Sequence, residues 1–424
     1  MGLHVIDEAK RCLKCKTPRC VKGCPVGTAI PEMIGMLLEG RIGDAGKMLF
    51  ENNPLSLVCS LVCPHEAQCE GHCVLAAKGT PVHISSIENY ISNYSLDMLP
   101  LAAGVGDLGT IGIVGSGPAG ITLAFIMALK GYKVTIFDMN DKIGGILHYG
   151  IPEFRLPKEI IARLERKLIE LGVVVRPNVL IGPVLTVDDL FRDGYDALFI
   201  GTGVWNPRKL GIKGETLGHV HFGIDYLRNP GAYRLGDRVV VIGAGNVAMD
   251  VARTILRHGV RDVTIMARSG RERLSARKHE IDYAEIDGVK FEYYKSPVEI
   301  NAGGVVYNET MLTPDGIVLV EGSHGLLEAS AVIIAVSQGP KSNIVNYTEG
   351  IQIDHRGLIV TDEEGRTTRP GVFASGDVVT GARTVVEAVK YTKQVAEMMD
   401  AYVQGARRGA AAVPEAEVMA ESKR

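Results

Sequence analysis

Eight cysteines dominate the chemistry that this sequence offers, and all of them lie between Cys12 and Cys73. The first group has the spacing C-x2-C-x4-C-x3-C-P, and the second has the spacing C-x3-C-P-x4-C-x3-C. Thiolates bind soft metals, and these short spacings let successive thiolates surround one iron–sulfur cube. Structural zinc and buried structural thiols are the alternatives, but structural zinc prefers two C-x2-C pairs and this chain has one. The spacing therefore favours [4Fe–4S] clusters.

The rest of the sequence indicates the cellular location of the protein and the classes of partner that it lacks. The N-terminus lacks a signal-peptide core, and no apolar run approaches the ~20 residues that a membrane helix needs. We therefore expect a cytoplasmic protein with no membrane span, in which disulfides are not expected. The chain has 46 basic and 49 acidic residues, and a net charge of −3 argues against a nucleic-acid partner.

A glycine-rich turn, GSGPAG, lies between a predicted strand at 111–114 and a predicted helix at 121–130. This order is typical of a dinucleotide site, because the glycines let the backbone and the helix N-terminus approach a pyrophosphate. Asp138 ends the next strand, and we expect its carboxylate to hold a ribose hydroxyl of FAD or NAD. A helix-packing turn without a ligand is the alternative. The expected contacts in the turn are Gly115, Gly117, Pro118, Ala119 and Gly120.

A second turn, GAGNVA, follows a strand at 239–242, and alanine in its third position is an allowed variant. The next strand, 262–266, ends without an acid, and a basic stretch follows it. Guanidinium groups bind phosphate bidentately, so this stretch favours NADP(H) over NAD(H), with Arg268 and Arg273 as the expected phosphate ligands. For Arg271 and Lys278 a solvated loop is the alternative. The expected contacts in the turn are Gly243, Gly245, Asn246 and Val247.

A third signal is VFASGDV at 372–378, where a strand runs into Gly376 and Asp377. Alone it is also typical of a plain turn. Paired with the first glycine turn, it suggests that Asp377 and nearby N–H groups contact a ribityl or phosphate group, and that the FAD domain is completed late in the chain. Gly145 and Thr384 complete the expected cofactor-binding set.

Two strand–turn–helix–strand patterns in one chain predict an α/β protein with two Rossmann-like dinucleotide-binding domains, for FAD and for NAD(P), preceded by an α-helical Fe–S module. Helical spacing at 31–40 and 44–53 supports the module, and the small-residue stretch 99–108 is typical of a linker. We predict the Fe–S domain at 1–105, a discontinuous FAD-binding domain at 106–232 and 332–404, an NAD(P)-binding domain at 233–331, and a mobile tail at 405–424.

Together these motifs resemble the beta (small) subunit of bacterial glutamate synthase. The same block recurs in the large subunit of NADH-dependent ferredoxin:NADP oxidoreductase and in the electron-input part of dihydropyrimidine dehydrogenase. The stretches that carry the resemblance best are the cysteine groups, 149–158 (YGIPEFRLPK), 243–253 (GAGNVAMDVAR) and 374–389. The chain departs from the family in a shorter region at 301–319, in Ala267 where NADP-using relatives often have arginine, and in Ser337 where glycine is usual.

The resemblance implies two [4Fe–4S] clusters whose ligands cross between the two cysteine groups. Carried over residue by residue, it implies a first ligand set of Cys12, Cys15, Cys20 and Cys73. It implies a second ligand set of Cys24, Cys63, Cys69 and the carboxylate of Glu88, which leaves Cys59 spare. From the residues alone, Glu88 is typical of a surface helix carboxylate.

The expected function is an NAD(P)H-dependent flavin and iron–sulfur oxidoreductase subunit that passes electrons to a partner subunit. The flavin carries the chemistry, so no catalytic side chain is predicted. A disulfide reductase is set aside, because it needs a reactive cysteine pair beside the flavin and no cysteine follows Cys73. The remaining alternatives are a stand-alone oxidoreductase for a small acceptor and a non-catalytic Fe–S sensor subunit.

Overall fold

The computed structural model describes residues 4–314 and 316–411, with side chains up to residue 408. The chain forms two compact units, and both are discontinuous in sequence. The first takes the described residues of Met1–Gly145, Lys158–Gly203 and Pro340–Arg424. The second takes Ile146–Pro157 and Val204–Gly339. Within the described residues, no helix combines the length and apolar character that a bilayer crossing requires.

The N-terminal module is helical. Its apolar core includes Met33, Ile34 and Ile87, and Cys69 is buried among these residues. The predicted helices at 31–40 and 44–53 are confirmed within two residues at each end. The six helices are α1 (Val5–Lys10), α2 (Arg19–Gly23), α3 (Ile30–Leu38), α4 (Ile42–Asn52), α5 (Ser56–Val62) and α6 (Ile84–Ser95).

The first strand–turn–helix pattern lies where the glycines predict it. Pro118 occupies the first turn of the helix, and Gly131 ends that helix at φ 110°, a value that glycine adopts without strain. The elements are β1 (Thr110–Val114), α7 (Pro118–Lys130), β2 (Lys133–Phe137), α8 (Ile146–Tyr149), α9 (Lys158–Glu170), β3 (Val174–Arg176), α10 (Val187–Arg192) and β4 (Ala197–Ile200).

The second strand–turn–helix–strand pattern follows in the same order, and antiparallel strands are added after the helix Lys278–Asp287. Its elements are β5 (Asn206–Pro207), β6 (Val220–Phe222), α11 (Gly223–Arg228), β7 (Arg238–Ile242), α12 (Asn246–Arg257), β8 (Asp262–Met266), α13 (Lys278–Asp287), β9 (Lys290–Glu292), β10 (Lys295–Asn301), β11 (Gly304–Thr313), β12 (Gly316–Leu319), β13 (Gly325–Glu328), β14 (Ala331–Ile334) and β15 (Gln338–Gly339).

The chain then returns to the first unit through α14 (Asn343–Asn346), β16 (Val372–Ala374), α15 (Asp377–Thr380) and α16 (Val385–Ala411). The first sheet has the order β16-β4-β1-β2-β3, and the second has the order β6-β14-β7-β8-β9. Every pairing in both sheets is parallel. The prediction of two Rossmann-like α/β folds after a helical module is confirmed.

The structure places the domain boundaries differently from the prediction. The second sheet takes β6, which precedes the predicted boundary at 232/233, and β14, which crosses the boundary at 331/332. The segment Ile146–Pro157 also belongs to the second unit, and the Fe–S module shares the first unit with the first sheet. α16 continues to Ala411, so the first part of the predicted tail is helical, and residues 412–424 lie outside the described residues.

Candidate iron–sulfur and dinucleotide sites

Thiols from both cysteine groups line one cavity in the N-terminal module. Cys12, Cys15 and Cys20 share this cavity with Cys73, and its other walls are mostly apolar. Burial, with smaller contributions from the nearby Cys12 and Cys73, raises the pKa of the Cys20 thiol to about 11. Because metal ligands must be deprotonated, these thiols favour a cationic centre that offsets the cost of ionising them.

The second predicted set also draws together residues that are far apart in sequence. A hydrogen bond with Cys59 raises the pKa of Cys63, burial raises the pKa of Cys69, and the negative charge of Glu88, on α6, adds to both shifts. Cys24 also acts on Cys69. Burial raises the pKa of Glu88 itself to about 8, with a smaller contribution from Glu70. Glu88 therefore lies among thiols and is not the solvated carboxylate that the residues alone suggest.

The eighth thiol, Cys59, is buried one helical turn before Cys63 and forms a hydrogen bond with it. No disulfide joins any of the eight cysteines. In the described part of the chain, no three His, Cys, Asp or Glu side chains lie close enough to bind a single metal ion. All predicted ligands except Glu88 are thiols, the donors that hold iron–sulfur cubes, so both donor sets fit such a cluster.

Hydrogen bonds connect the second thiol set to the last helix of the first unit. The Cys24 thiol lies 3.4 Å from the hydroxyl oxygen of Thr28, which accepts a hydrogen bond of 3.1 Å from the Asn52 amide. The ammonium group of Lys393, on α16, donates to the Asn52 carbonyl oxygen at 2.6 Å. This series joins the module to the helix that follows the third motif, and no signal in the sequence predicts it.

The first glycine turn leaves an open space at the N-terminus of α7. A Cβ on Gly115 would lie 2.7 Å from the Gly201 carbonyl oxygen, and one on Gly120 would lie 2.0 Å from the Gly115 carbonyl oxygen. A Cβ on Gly117 would meet nothing closer than 3.9 Å. Two glycines thus allow close packing, and the third faces free space where a pyrophosphate fits against the helix N–H groups.

The carboxylate of Asp138 holds the first glycine turn in place by accepting hydrogen bonds. Its Oδ2 accepts hydrogen bonds from the Ser116 N–H (2.8 Å) and hydroxyl (2.5 Å). Its Oδ1 accepts from the Asn140 N–H (2.8 Å) and side-chain amide (2.9 Å). Asp138 is buried, so this carboxylate positions the turn, and ribose binding by it stays a prediction. Sequence reasoning missed Ser116 and Asn140, whose side chains have the short polar groups that such a role needs.

The third motif lies against the first, as predicted. β16 pairs with β4 beside β1, and a Cβ on Gly376 would lie 3.2 Å from the Cβ of Ala119. Gly145 approaches the same turn, because its Cβ would lie 2.9 Å from the Cα of Gly117. Backbone φ angles of 77° at Gly376 and 53° at Gly145 favour glycine at both positions.

The two remaining residues of the predicted FAD set stabilise the backbone around it. Burial raises the pKa of Asp377 to about 6, although its carboxylate accepts a hydrogen bond from the Arg383 N–H at 3.1 Å. The Thr384 hydroxyl donates to the Glu387 carboxylate at 2.6 Å, and Thr384 precedes the first residue of α16. Thr384 therefore acts as a helix cap in this structure.

The second glycine turn is covered by the basic stretch that follows β8. The Ala276 N–H donates to the Ala244 carbonyl oxygen at 3.0 Å, and the Arg277 N–H donates to Asn246 Oδ1 at 2.9 Å. Gly245 caps α12, in whose first turn Val247 lies, and Gly243 has a φ of 130°. The turn therefore has the geometry of a dinucleotide site.

The predicted phosphate ligands differ from a neighbouring arginine in their ion pairing. Arg268 and Arg273 are exposed, and neither side chain forms an ion pair or hydrogen bond with the described residues. Arg271 instead pairs with Asp282 at 2.5 Å and with Glu285 at 2.9 Å, both on α13. Arg268 and Arg273 are thus available to a 2′-phosphate, and Arg271 is neutralised by its carboxylate partners.

Ser337, which stands where the family usually has glycine, adopts a backbone conformation that favours glycine. Its φ is 96°, in the region where L side chains are strained, and its carbonyl oxygen accepts from the Arg208 N–H at 3.1 Å. A non-glycine residue in this region costs about 1 kcal/mol or more. The conformation that the family satisfies with glycine is therefore kept here with a serine.

The segment YGIPEFRLPK attaches to the nucleotide fold of the second unit through a buried ion network. Arg155 Nη1 lies 2.8 Å and 2.6 Å from the two carboxylate oxygens of Asp250, on α12. Arg155 Nη2 lies 2.9 Å from Glu280, on α13, which also pairs with Arg253 at 2.9 Å. Arg253 and Arg257 lie over the ring of Phe154, 4.8 Å and 4.0 Å from its centroid. These contacts explain why charged residues occupy a buried face of α12.

The two carboxylates of this network have opposite pKa shifts. Burial raises the pKa of Asp250 to about 6, and Arg155 opposes that rise. Burial would also raise the pKa of Glu280, but His279, Arg155 and Arg277 together lower it to about 2. Glu280 has more cations around it, whereas Asp250 has one direct ion pair among the described residues, with Arg155.

Comparison with known proteins agrees with this geometry. Residues 109–392 match the family described as pyridine nucleotide-disulphide oxidoreductase, and residues 2–99 match the dihydropyrimidine dehydrogenase domain II, 4Fe-4S cluster family. The structure of Mycobacterium tuberculosis FprA in complex with NADPH superposes with a TM-score of 0.61 at 20% identity, covering 74% of this chain and 89% of that chain. That likeness supports the fold.

Two curated relatives cover almost the whole chain. The glutamate synthase [NADPH] small chain of Escherichia coli (strain K12) is 32% identical over 423 residues, which cover 92% of this chain and 89% of that protein. The NAD-dependent dihydropyrimidine dehydrogenase subunit PreT of the same organism is 30% identical over 417 residues, with 96% of each chain covered. The expected resemblance is confirmed, and the chain is a flavin and iron–sulfur oxidoreductase that belongs to the glutamate synthase small-chain family.

Proposed function

We propose that the chain is an electron-transfer subunit that connects NAD(P)H, through FAD and two [4Fe–4S] clusters, to a partner subunit. FAD, when bound, would supply the chemistry that converts a two-electron transfer from the nicotinamide into single-electron steps. The open space at Gly117 would take the FAD pyrophosphate, and the turn Gly376–Asp377 would face the ribityl chain. The second turn, from Gly243 to Val247, would take the nicotinamide dinucleotide.

The observation that carries this proposal is the hydrogen-bonded series from α16 to Cys24. Lys393 and Asn52 join the FAD side of the first unit to the second thiol set. Cys24 and Cys63, with Cys69 and Glu88, would hold one cluster on that side. The first set, whose thiols are Cys12, Cys15, Cys20 and Cys73, would hold the other. Several relatives are named as a small chain or a subunit of an enzyme, which supports a partner here.

The test is anaerobic reduction of the purified protein by NADPH or NADH. We expect bleaching of the flavin absorbance and EPR signals from reduced clusters, with dithionite as the control for clusters of low potential. Copurification of a second polypeptide would support the partner. Bound flavin that neither donor bleaches would refute the proposal.

The preference for NADP(H) has a separate test at Arg268. We expect Arg268→Ala to raise the KM for NADPH by ~10-fold or more and to leave the KM for NADH nearly unchanged, because a charged hydrogen bond to phosphate contributes about 1.5–3 kcal/mol. Steady-state kinetics with both donors measures this. Arg271→Ala is the matched control, since its guanidinium is neutralised by Asp282 and Glu285. Equal effects of Arg268→Ala on both donors would show that Arg268 does not bind the 2′-phosphate.

A further inference from the structure

Lys393, on α16, is a half-buried cation of the first unit that lacks a carboxylate partner. Its ammonium group donates to the main-chain oxygen of Asn52 at 2.6 Å and to the side-chain oxygen of the same residue at 3.2 Å. None of the carboxylates that the structure describes forms an ion pair with it. Burial lowers the pKa of Lys393, and the negative charge of Cys24 opposes that lowering. A partly buried cation is costly unless an anion compensates for it, and a thiolate at Cys24 is such an anion.

The side-chain amide of Asn52 connects this cation to the second thiol set. An ammonium group can only donate hydrogen bonds, so the amide atom that faces Lys393 must be the acceptor, Oδ1. The amide nitrogen then faces the other way, and it donates to the Thr28 hydroxyl oxygen at 3.1 Å. The two orientations of an asparagine amide have nearly the same shape, and their hydrogen-bond partners decide between them. Lys393 therefore fixes which end of the Asn52 amide Thr28 meets.

The hydroxyl group of Thr28 is the last link before the cysteine. Thr28 is buried, and its oxygen lies 3.4 Å from Cys24 Sγ. Because this oxygen accepts a hydrogen bond from Asn52, its own single proton is left to point at Cys24. A cysteine that binds iron is deprotonated, so Thr28 would be the donor of the hydrogen bond to it. Every group from Lys393 to Thr28 thus donates in the direction of Cys24.

We propose that Lys393 is a positioning residue that raises the reduction potential of the cluster that the second thiol set would hold. Through Asn52 it directs the Thr28 hydroxyl at Cys24 Sγ, and this hydrogen bond stabilises the negative charge that the ligand sulfurs gain on reduction. Reduction adds one electron, supplied by the flavin or by a chemical reductant, and breaks no bond. The inference rests on the proposed function, and it makes the second cluster a better acceptor for electrons that leave the flavin.

The test is a redox titration of the purified holoprotein, followed by EPR, in the wild type and in Lys393→Met. Methionine keeps an unbranched side chain but removes the charge and the donor group. Dithionite and redox mediators set the potential, so the titration needs no nicotinamide. The signal that Cys69→Ala removes identifies the second cluster, and the first cluster is an internal reference. Lys390→Met is the matched control, because Lys390 is an exposed lysine on the same helix.

We expect Lys393→Met to lower the ratio of reduced to oxidised second cluster by ~10-fold at a given potential, which is a shift of about 59 mV for one electron. Thr28→Val should lower this ratio by roughly 5-fold, the effect of one hydrogen bond, and Thr28→Ser should restore it. The double variant Lys393→Met/Thr28→Val should shift the potential by less than the sum of the single shifts, because both substitutions act on one hydrogen bond. The first cluster should keep its potential throughout, and Lys390→Met should behave like the wild type.

Three outcomes would overturn the inference. An unchanged potential in Lys393→Met would leave this lysine with a purely structural role between α16 and α4. A shift of equal size in both clusters, or in Lys390→Met, would indicate a general effect of charge. Additive shifts in the double variant would show that Lys393 does not act through Thr28.

A second substitution covers the case in which Lys393→Met lowers the iron content. Lys393→Gln then replaces it, because glutamine keeps a donor group for Asn52, and it should shift the potential in the same direction by a smaller factor. The same three outcomes decide the result. Failure of the proposed function is distinguishable, because it appears as a flavin that NAD(P)H does not bleach, whatever the potential of the second cluster.

Discussion

Cys20→Ala should lower the iron content of the purified protein by about half, because one of two four-iron clusters would lose a ligand. Its thiol lines the cavity shared with Cys12, Cys15 and Cys73. Cys69→Ala should also lose about half of the iron, but from the other set. EPR of the dithionite-reduced variants should then show two different single-cluster spectra, whose sum resembles that of the wild type.

Cys59→Ala is the matched control for this experiment. Cys59 is buried like Cys63 and Cys69 and contacts Cys63, yet it belongs to neither predicted set. We expect full iron content from it. Loss of half of the iron in Cys59→Ala, or full iron in Cys20→Ala, would contradict the proposed division of ligands.

A substitution of Glu88, the predicted ligand that is not a cysteine, tests the same division of ligands between two clusters. We expect Glu88→Cys to keep both clusters and to shift the EPR signal that Cys69→Ala removes, because a thiolate changes the charge around that cluster. The signal that Cys20→Ala removes should not move. An unchanged spectrum would show that Glu88 is not a ligand.

Arg155→Ala should destabilise the second unit by about 3–5 kcal/mol, since removal of one partner leaves buried charges without compensation. Asp250 would lose its direct ion pair, and Glu280 would lose one of three guanidinium contacts. Trp205 is the single tryptophan of the chain and belongs to the second unit, so its fluorescence during urea unfolding reports this loss. Arg166→Ala, at an exposed pair with Glu159, should cost at most about 1 kcal/mol.

The loss in Arg155→Ala should depend on pH. The pKa of Asp250 is about 6 in the folded protein, above its ordinary value, so the folded state favours the protonated carboxyl. Removal of Arg155 raises that pKa further, because Arg155 opposes the effect of burial. The destabilisation should therefore be largest above pH 7 and shrink as the pH falls toward 5. A loss that is independent of pH would exclude Asp250 as its source.

Local sequence signals predict the parts of this molecule in which neighbouring residues act together. Both glycine turns lie between the predicted strand and helix, because the tight turn and the helix N-terminus are properties of adjacent residues. The placement of Gly376 against Ala119 was also predictable, because pairing the third motif with the first glycine turn indicates one FAD domain that is completed late in the chain. The proximity of Cys73 to the first cysteine group came from the family resemblance.

Contacts between distant residues explain what the sequence alone does not predict. Arg155 belongs to the second unit because it forms ion pairs with Asp250 and Glu280. These partners lie about a hundred residues later in the chain, and no local periodicity indicates such pairs. The predicted domain boundary at 232/233 differs from the structure for a similar reason. β6 is only three residues long, and its place in the sheet comes from pairing with β14. The series from Lys393 to Cys24 likewise joins opposite ends of the chain.

The late position of β16 has a consequence for synthesis on the ribosome. The first sheet needs β16 to cover the outer edge of β4, and the main part of the second unit, Val204–Gly339, is translated between these two strands. At typical elongation rates this interval lasts roughly 10–30 s. The nicotinamide-binding unit is therefore complete while the flavin-binding unit still waits for its last strand. Flavin loading consequently becomes a late step in the biogenesis of the protein, after the turn that contains Gly376 has emerged.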